Sequence, residues 1–207
     1  MTIVAAALLV GASVATPEII DRVLAVVDAQ IITLSDVRAA IRFELVPADV
    51  SEDPVNAALQ RLIDRRVMLA EVDRYAPAEP EAGAIDAAIA VVSAKSKDAL
   101  AFETELNRYG LSQEELRRFM RDSLRLEEYL QQRFASTGQP SDGEVARYYQ
   151  EHPGEFTVEG QLRPFDDVRD QARASVSARR RSEFVQEWVA GLRRRASLVV
   201  LYLPARK

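Results

Sequence analysis

The sequence predicts a mainly α fold: a multi-helix core with a small β element built from the N-terminal strands and the C-terminal strand. Three observations lead there. Amphipathic stretches at helical spacing, several opened by a capping pattern, fill most of the 207 residues. Aromatic residues make up only 7% of the chain while alanine is abundant, which suits close helix packing better than a β-sandwich. Runs of β-branched residues lie near the two ends, at 23–33 and 197–203. With 48% hydrophobic and 29% charged residues the chain reads as an ordinary globular one.

The elements follow in order. Residues 1–15 resemble a secretion signal, with an apolar run at 3–10 and small residues Ser13 and Ala15 before a cleavage position. No basic residue precedes that run, which leaves open a buried or frayed first strand. The run is shorter than the roughly 20 residues a membrane span needs. VLAVVDAQIIT (23–33) reads as two strands around a turn at Asp28, Ala29 and Gln30. TLSDV then opens a helix to about Leu45, capped by Thr33 or Ser35. Residues 51–75 read as a long helix, with Pro54 tolerated in its first turn. Val55, Leu59, Leu62, Ile63, Leu69 and Ala70 share one face, and Met68 and Val72 lie roughly opposite. A helix apolar on two sides is sandwiched between neighbours.

Residues 82–94 and 98–108 read as two further helices, the second ended by Gly110. Segment 82–101 is rich in alanine and suits either a mobile flap or a small-residue packing layer. Ser112 and Glu115 form a capping box for a helix running to about Phe134, with Leu116, Phe119, Met120, Leu126, Leu130 and Phe134 as its stripe. Ser141 and Glu144 repeat the pattern for a short helix after a loop at 136–140. A break follows Phe156 and runs through Gly160. From Pro164 the chain reads as helical to Arg195, but its apolar face changes: Phe165, Val168, Ala172 and Val176 on one side, Phe184, Trp188 and Leu192 half a turn round. The two halves meet different partners, or the helix breaks at 177–182. Segment 197–203 is a strand whose expected partner is the N-terminal pair.

Charge is unevenly spread. Residues 160–207 carry eleven basic and five acidic side chains, a net +6, against −11 for the rest. Arginines without interleaved aromatics read as ion-pairing or solvated rather than as a nucleic-acid surface, and no nucleic-acid partner is expected. Stable membrane insertion is not expected either.

No catalytic set emerges. The chain has no cysteine and one histidine, His152, which excludes thiolate chemistry and disulfides. No metal motif, Gly-rich phosphate loop or nucleophile elbow is present. No cofactor is expected. His152 closes a short helix before Pro153 and Gly154, where an imidazole answers the last carbonyls.

Five segments in order resemble the SurA-like periplasmic chaperones, a family related to peptidyl-prolyl isomerases. They are DRVLAVVDAQIITLSDV (21–37), LIDRRVMLAEVDRYAP (62–77), GLSQEELRRFMRDSLRLEEYLQQRF (110–134), PSDGEVARYYQEHPGEF (140–156) and PFDDVRDQARASV with FVQEWVAGLRRRASLVVL (within 164–201). The resemblance implies a SurA/trigger-factor-like peptide-binding core. In that family a parvulin-type isomerase domain is inserted between the Tyr-Tyr helix and the "PF-x-x-V" helix. Here only 157–163 separates Phe156 from Pro164, too few residues for any such domain. The implied organisation is a signal at 1–15, a helical core at 16–156, the empty junction at 157–163, and a returning helix and strand at 164–207.

The resemblance implies an ATP-independent periplasmic holdase for unfolded polypeptides such as outer-membrane protein precursors, without isomerase activity. Apolar positions in excess of one helix face, Met68, Val72, Leu124 and Tyr129, are the candidates for the peptide groove. The alternatives are a scaffold of the same fold for one dedicated partner, or an isomerase, which would need an active site that the sequence does not offer.

Overall fold

The computed structural model describes residues 21–47, 52–135 and 139–203. The expected signal, the proline after the last strand and part of the 136–140 loop lie outside these residues. The chain is mainly α with a small β element, as the sequence predicts.

Strands β1 (Val23–Val27) and β2 (Gln30–Thr33) form a hairpin, and β5 (Leu198–Val200) joins the far edge of β1, giving the antiparallel order β2-β1-β5. The register pairs Val26 with Val199 and Val27 with Leu198. The turn is the two residues Asp28 and Ala29, both at positive φ (47° and 66°), which matches the twist of the flanking strands. Asp28 also ties the turn to the returning chain: its N–H donates to the Ser197 carbonyl (2.9 Å), and its carboxylate accepts from the Ser197 N–H (2.8 Å). The two ends of the described chain are thus closed on each other, which fixes where the last helix must finish.

Helix α1 (Leu34–Arg42) starts on a capping box between Thr33 and Asp36. Helix α2 (Pro54–Tyr75) is capped by Asp53, with Pro54 in its first turn. It ends at Ala76 in left-handed conformation, because Pro77 forbids another turn. Helices α3 (Ala82–Ser93), α4 (Ala99–Arg108) and α5 (Gln113–Arg133) follow. The Ser112–Glu115 capping box opens α5. A third box, Ser141–Glu144, opens α6 (Asp142–Glu151). A 3-10 turn (Pro153–Phe156) leads into a minimal hairpin, β3 (Thr157–Val158) and β4 (Gln161–Leu162). Helix α7 (Phe165–Arg195) then runs unbroken for 31 residues, about 46 Å.

Four apolar clusters result. The largest joins the sheet, α1, α2 and the end of α7 through Leu24, Ile32, Leu59, Ile63 and Leu192. A second packs α1, α3, α4 and the start of α5 around Phe43, Phe102 and Leu116. In it Ile85 of α3 is buried, with Ala88, Ile89 and Val92 packed beside it. The third, Val72 with Leu126 and Tyr129, seals α2 against α5. The fourth stands apart: Val145, Phe156, Val168 and Ala172 hold α6, the 3-10 turn and the first half of α7 together as an arm.

Helix α7 therefore meets different partners along its length. Val168 and Ala172 pack in the arm and Val176 is buried next along the helix, while Val189 and Leu192 enter the body with Val185 and Trp188 beside them. Val185 lies nine positions after Val176, about two and a half turns at 3.6 residues per turn, so the two sit on opposite sides of the helix. One detail differs from the sequence reading. Phe184 remains 48% exposed. Val185 and Val189, one position round, take the inward face instead.

The charges along α7 are matched locally. Arg173 pairs with Asp142 and Arg180 with Glu144, both across to α6. Arg193 lies 3.1 Å from Asp64 of α2. The basic C-terminal segment thus leans on acidic groups of the body and arm. No described helix is long and apolar enough to cross a membrane.

Candidate functional site: a groove along one face of helix α7

Two concavities adjoin along α7. The first is a cleft of about 820 Å³ between the end of α5 and the middle of α7. Phe134, Ala135 and Gln139 form one wall; Ser177, Ala178, Arg181, Ser182 and Val185 form the other. The second is a trough of about 400 Å³ lined by Leu45, Val46 and Pro47, by Met68 of α2, by Leu126 of α5 and by Val185, Val189 and Ala190 of α7. Val185 belongs to both, so the two succeed each other along the helix.

The sequence builds this face by spacing. Arg181, Val185, Val189 and Arg193 recur every four residues, and Ala178, Ser182, Gln186 and Ala190 form the parallel row. Ala178, Ser182, Gln186 and Ala190 are exposed and Arg181, Val185 and Arg193 half-buried, while Val189 is buried and forms the floor. From Arg181 to Val189 is about 12 Å along the axis. An extended peptide covers that with three or four residues.

An aromatic ladder supports the groove from behind. Tyr75, Tyr129, Trp188 and Phe134 follow one another with ring centroids 5.5 Å, 5.9 Å and 5.8 Å apart. Arg133 stands over Trp188 at 5.2 Å and donates to the Tyr129 hydroxyl (3.1 Å). Burial pushes the Tyr129 phenol above its ordinary value, and the neighbouring Arg133 offsets part of that. The side wall of the trough is polar. Arg65 lies over the Phe119 ring at 3.8 Å and donates to the Phe119 carbonyl (2.7 Å). Its burial lowers the guanidinium to about 10, so it stays charged at neutral pH. Burial raises the Asp64 carboxyl, with Arg193 and Arg61 pulling the other way. The 3.1 Å approach of Arg193 to Asp64 is a charge contact without the alignment of a hydrogen bond.

Of the four groove candidates from the sequence, Met68 lines the trough. Leu124 lies against the Phe43–Phe102 cluster on another side of α5. Val72 is fully buried and Tyr129 is 6% exposed, so both act from within the α2–α5 seam and present no groove surface in this arrangement. The physical reason is the sandwich: α2 is apolar on two sides because α5 and the sheet cover both. The residues that the sequence reading missed, Val185, Val189 and Leu126, carried only a stripe periodicity shared with any core helix.

His152 is the C-cap of α6. Its Nδ1 lies 3.0 Å from the Tyr148 carbonyl, and its ring stacks on Tyr148 with centroids 4.1 Å apart. Arg179 stands 3.5 Å from Nε2. These are the contacts of a helix terminus. Among the described residues no group of three or more His, Cys, Asp or Glu is placed to hold a metal.

No protein-family model matches the chain, and no curated protein matches it in sequence. The fold does have a solved counterpart. A structure from a study of PEB4 and Cj1289, described as two structurally related SurA-like chaperones of Campylobacter jejuni, superposes with a TM-score of 0.52. The match covers 88% of this chain and 100% of the other at 15% sequence identity. The two chains share a fold across that span.

Proposed function

We propose that this chain is a chaperone of the holdase type, which keeps unfolded polypeptide from aggregating by holding extended apolar segments in the α7 groove. The observation that carries the proposal is the groove itself: an open path between rigid helices, mainly apolar with a polar side wall and long enough for three or four extended residues. An apolar surface that is neither buried nor scattered singly is what a binding surface for unfolded chain requires. The shared fold with SurA-like chaperones supports the same class of activity. The sequence holds no phosphate-binding loop, so binding and release run without nucleotide.

Three finer points belong to the same proposal. The site of action is the periplasm, supported by the apolar N-terminal run and by the fold shared with a structure from the study of the periplasmic protein Cj1289. Clients are unfolded outer-membrane protein precursors. The 157–163 junction, which contributes the minimal β3–β4 hairpin, stands where relatives insert an isomerase domain, and the chain acts as a chaperone without that chemistry.

The test is light scattering from a denatured outer-membrane β-barrel protein diluted into buffer without ATP. Near-stoichiometric amounts of the folded chain suppress aggregation, and Val185→Asp, at a half-buried groove position, reduces that suppression at least severalfold. A folded chain that leaves scattering unchanged would remove the holdase reading and favour a scaffold for one dedicated partner.

A further inference from the structure

The groove has a polar end whose chemistry is one-sided. Arg181 lines the 820 Å³ cleft, half-buried, and no hydrogen bond or ion pair among the described residues engages its guanidinium. Four other arginines of α7 are occupied: Arg173 by Asp142, Arg179 by Glu183, Arg180 by Glu144, Arg193 by Asp64. Among the described residues no aspartate or glutamate lines the cleft. Ser182, the next residue, accepts from the Gln186 side chain (3.3 Å), so its own hydroxyl hydrogen is free to donate. Ser177 has spent its hydrogen on the Arg173 carbonyl (2.9 Å). The cleft therefore offers guanidinium N–H groups and a hydroxyl donor, walled by Phe134, Ala178 and Val185, with no acidic group to answer them.

We infer that this end of the groove is an acidic side-chain subsite, and that the segments held best carry one Asp or Glu within three or four residues of an apolar side chain. This rests on the groove being the client site proposed above. Charge complementarity sets the sign, since a half-buried cation among apolar walls gains most from a carboxylate that can accept two parallel N–H bonds. The apolar trough beginning at Val185 sets the rest of the ligand. A bare anion would leave Phe134 and Val185 uncovered, whereas a side-chain carboxylate on an extended chain fills the cleft and continues into the trough. A carboxylate borne within the chain also allows entry at any point along an unfolded client.

The experiment uses peptides acetylated and amidated at their ends, bearing one neutral fluorophore, with a shared apolar core and Glu, Gln or Lys at one flanking position. A fourth has Gln there and a free C-terminal carboxylate. Binding to the full chain is read by anisotropy. The Glu peptide is expected to bind about fivefold tighter than the Gln peptide, and the Lys peptide more weakly than either. Raising salt narrows the gap. In Arg181→Gln the Glu and Gln peptides bind alike, at the affinity that the Gln peptide has for the natural chain. That variant keeps its melting temperature, because the side chain holds nothing in place. Equal binding of Glu and Gln peptides to the natural chain, still weakened by Val185→Asp, would overturn the subsite and leave the groove standing. Binding of none of the peptides would overturn both. Preference for the free C-terminus over Glu would replace the side chain with a chain end as the occupant.

Discussion

Arg65 and Arg74 lie on the same helix and show how differently one residue type can matter. Arg74 is an exposed partner of Glu71 (3.1 Å), and its loss to alanine costs about 0.5 kcal/mol or less. Arg65 spans from α2 to α5, stacked on Phe119 and bonded to its carbonyl. Arg65→Ala removes the stacked cation and the bond together, about 2 kcal/mol by urea denaturation. Arg65→Lys restores only part, since an ammonium cannot stack and reach the carbonyl at once. Equal effects at the two positions would contradict the role given to Arg65.

The capping boxes carry the pH dependence at this scale. Glu115 is held below the ordinary glutamate range by the Ser112 hydroxyl and then by the Ser112 backbone N–H. A carboxylate depressed in the folded state adds stability that is complete above its unfolded value, about 4.3, and is lost as pH falls through the lower folded value. Ser112→Ala costs about 1 kcal/mol at neutral pH. The difference between variant and natural chain shrinks as pH falls below about 4. A gap that widened on acidification would contradict this assignment. These boxes were readable from sequence because a cap is local: a hydroxyl and a carboxylate three residues apart need no tertiary partner. His152 was readable for the same reason. The buried Arg125, reaching Asp73 at 3.0 Å and Glu79 at 3.4 Å, was not, because its partners are far along the chain.

Among the elements, α7 holds the design together. It passes from the arm cluster to the body without interruption, and the half-turn change of its apolar face is resolved by two sets of partners. Sequence periodicity leaves a break at 177–182 as the alternative, since it records which face is apolar and not what covers it. The same limit put Val72 and Tyr129 among the groove candidates. The β3–β4 hairpin escaped notice because strands of two residues carry no alternation. The pairing of β5 with β1 was legible, because a β-branched run at one end needs a partner and the N-terminal pair was the one offered. Ala178 is exposed, so Ala178→Pro tests helix continuity through the backbone alone. It removes one i→i−4 bond and clashes with the preceding turn, about 3 kcal/mol. Far-UV circular dichroism is expected to begin its thermal transition before Trp188 fluorescence, with the arm loosening first. Coincident transitions at an unchanged midpoint would contradict the linking role of α7.

At the scale of the molecule, rigid helices on either side leave an apolar path open between arm and body. The ion pairs of α7 lie within each part: Arg173 and Arg180 hold α6 in the arm, and Arg193 reaches Asp64 of α2 in the body. Exposed apolar residues occur elsewhere as well. Leu100 on α4 is 75% exposed, more than Phe184 beside the groove at 48%. Stickiness alone would therefore favour Leu100, whereas a binding groove favours Val185. That contrast gives the most direct measurement. A photo-crosslinking amino acid is placed at Val185 in one chain and at Leu100 in another, each is mixed with the same unfolded outer-membrane protein, and crosslinked product is quantified. The account predicts strong crosslinking from Val185 and little from Leu100. Crosslinking in proportion to exposure, strongest at Leu100, would contradict the groove as the site of client binding.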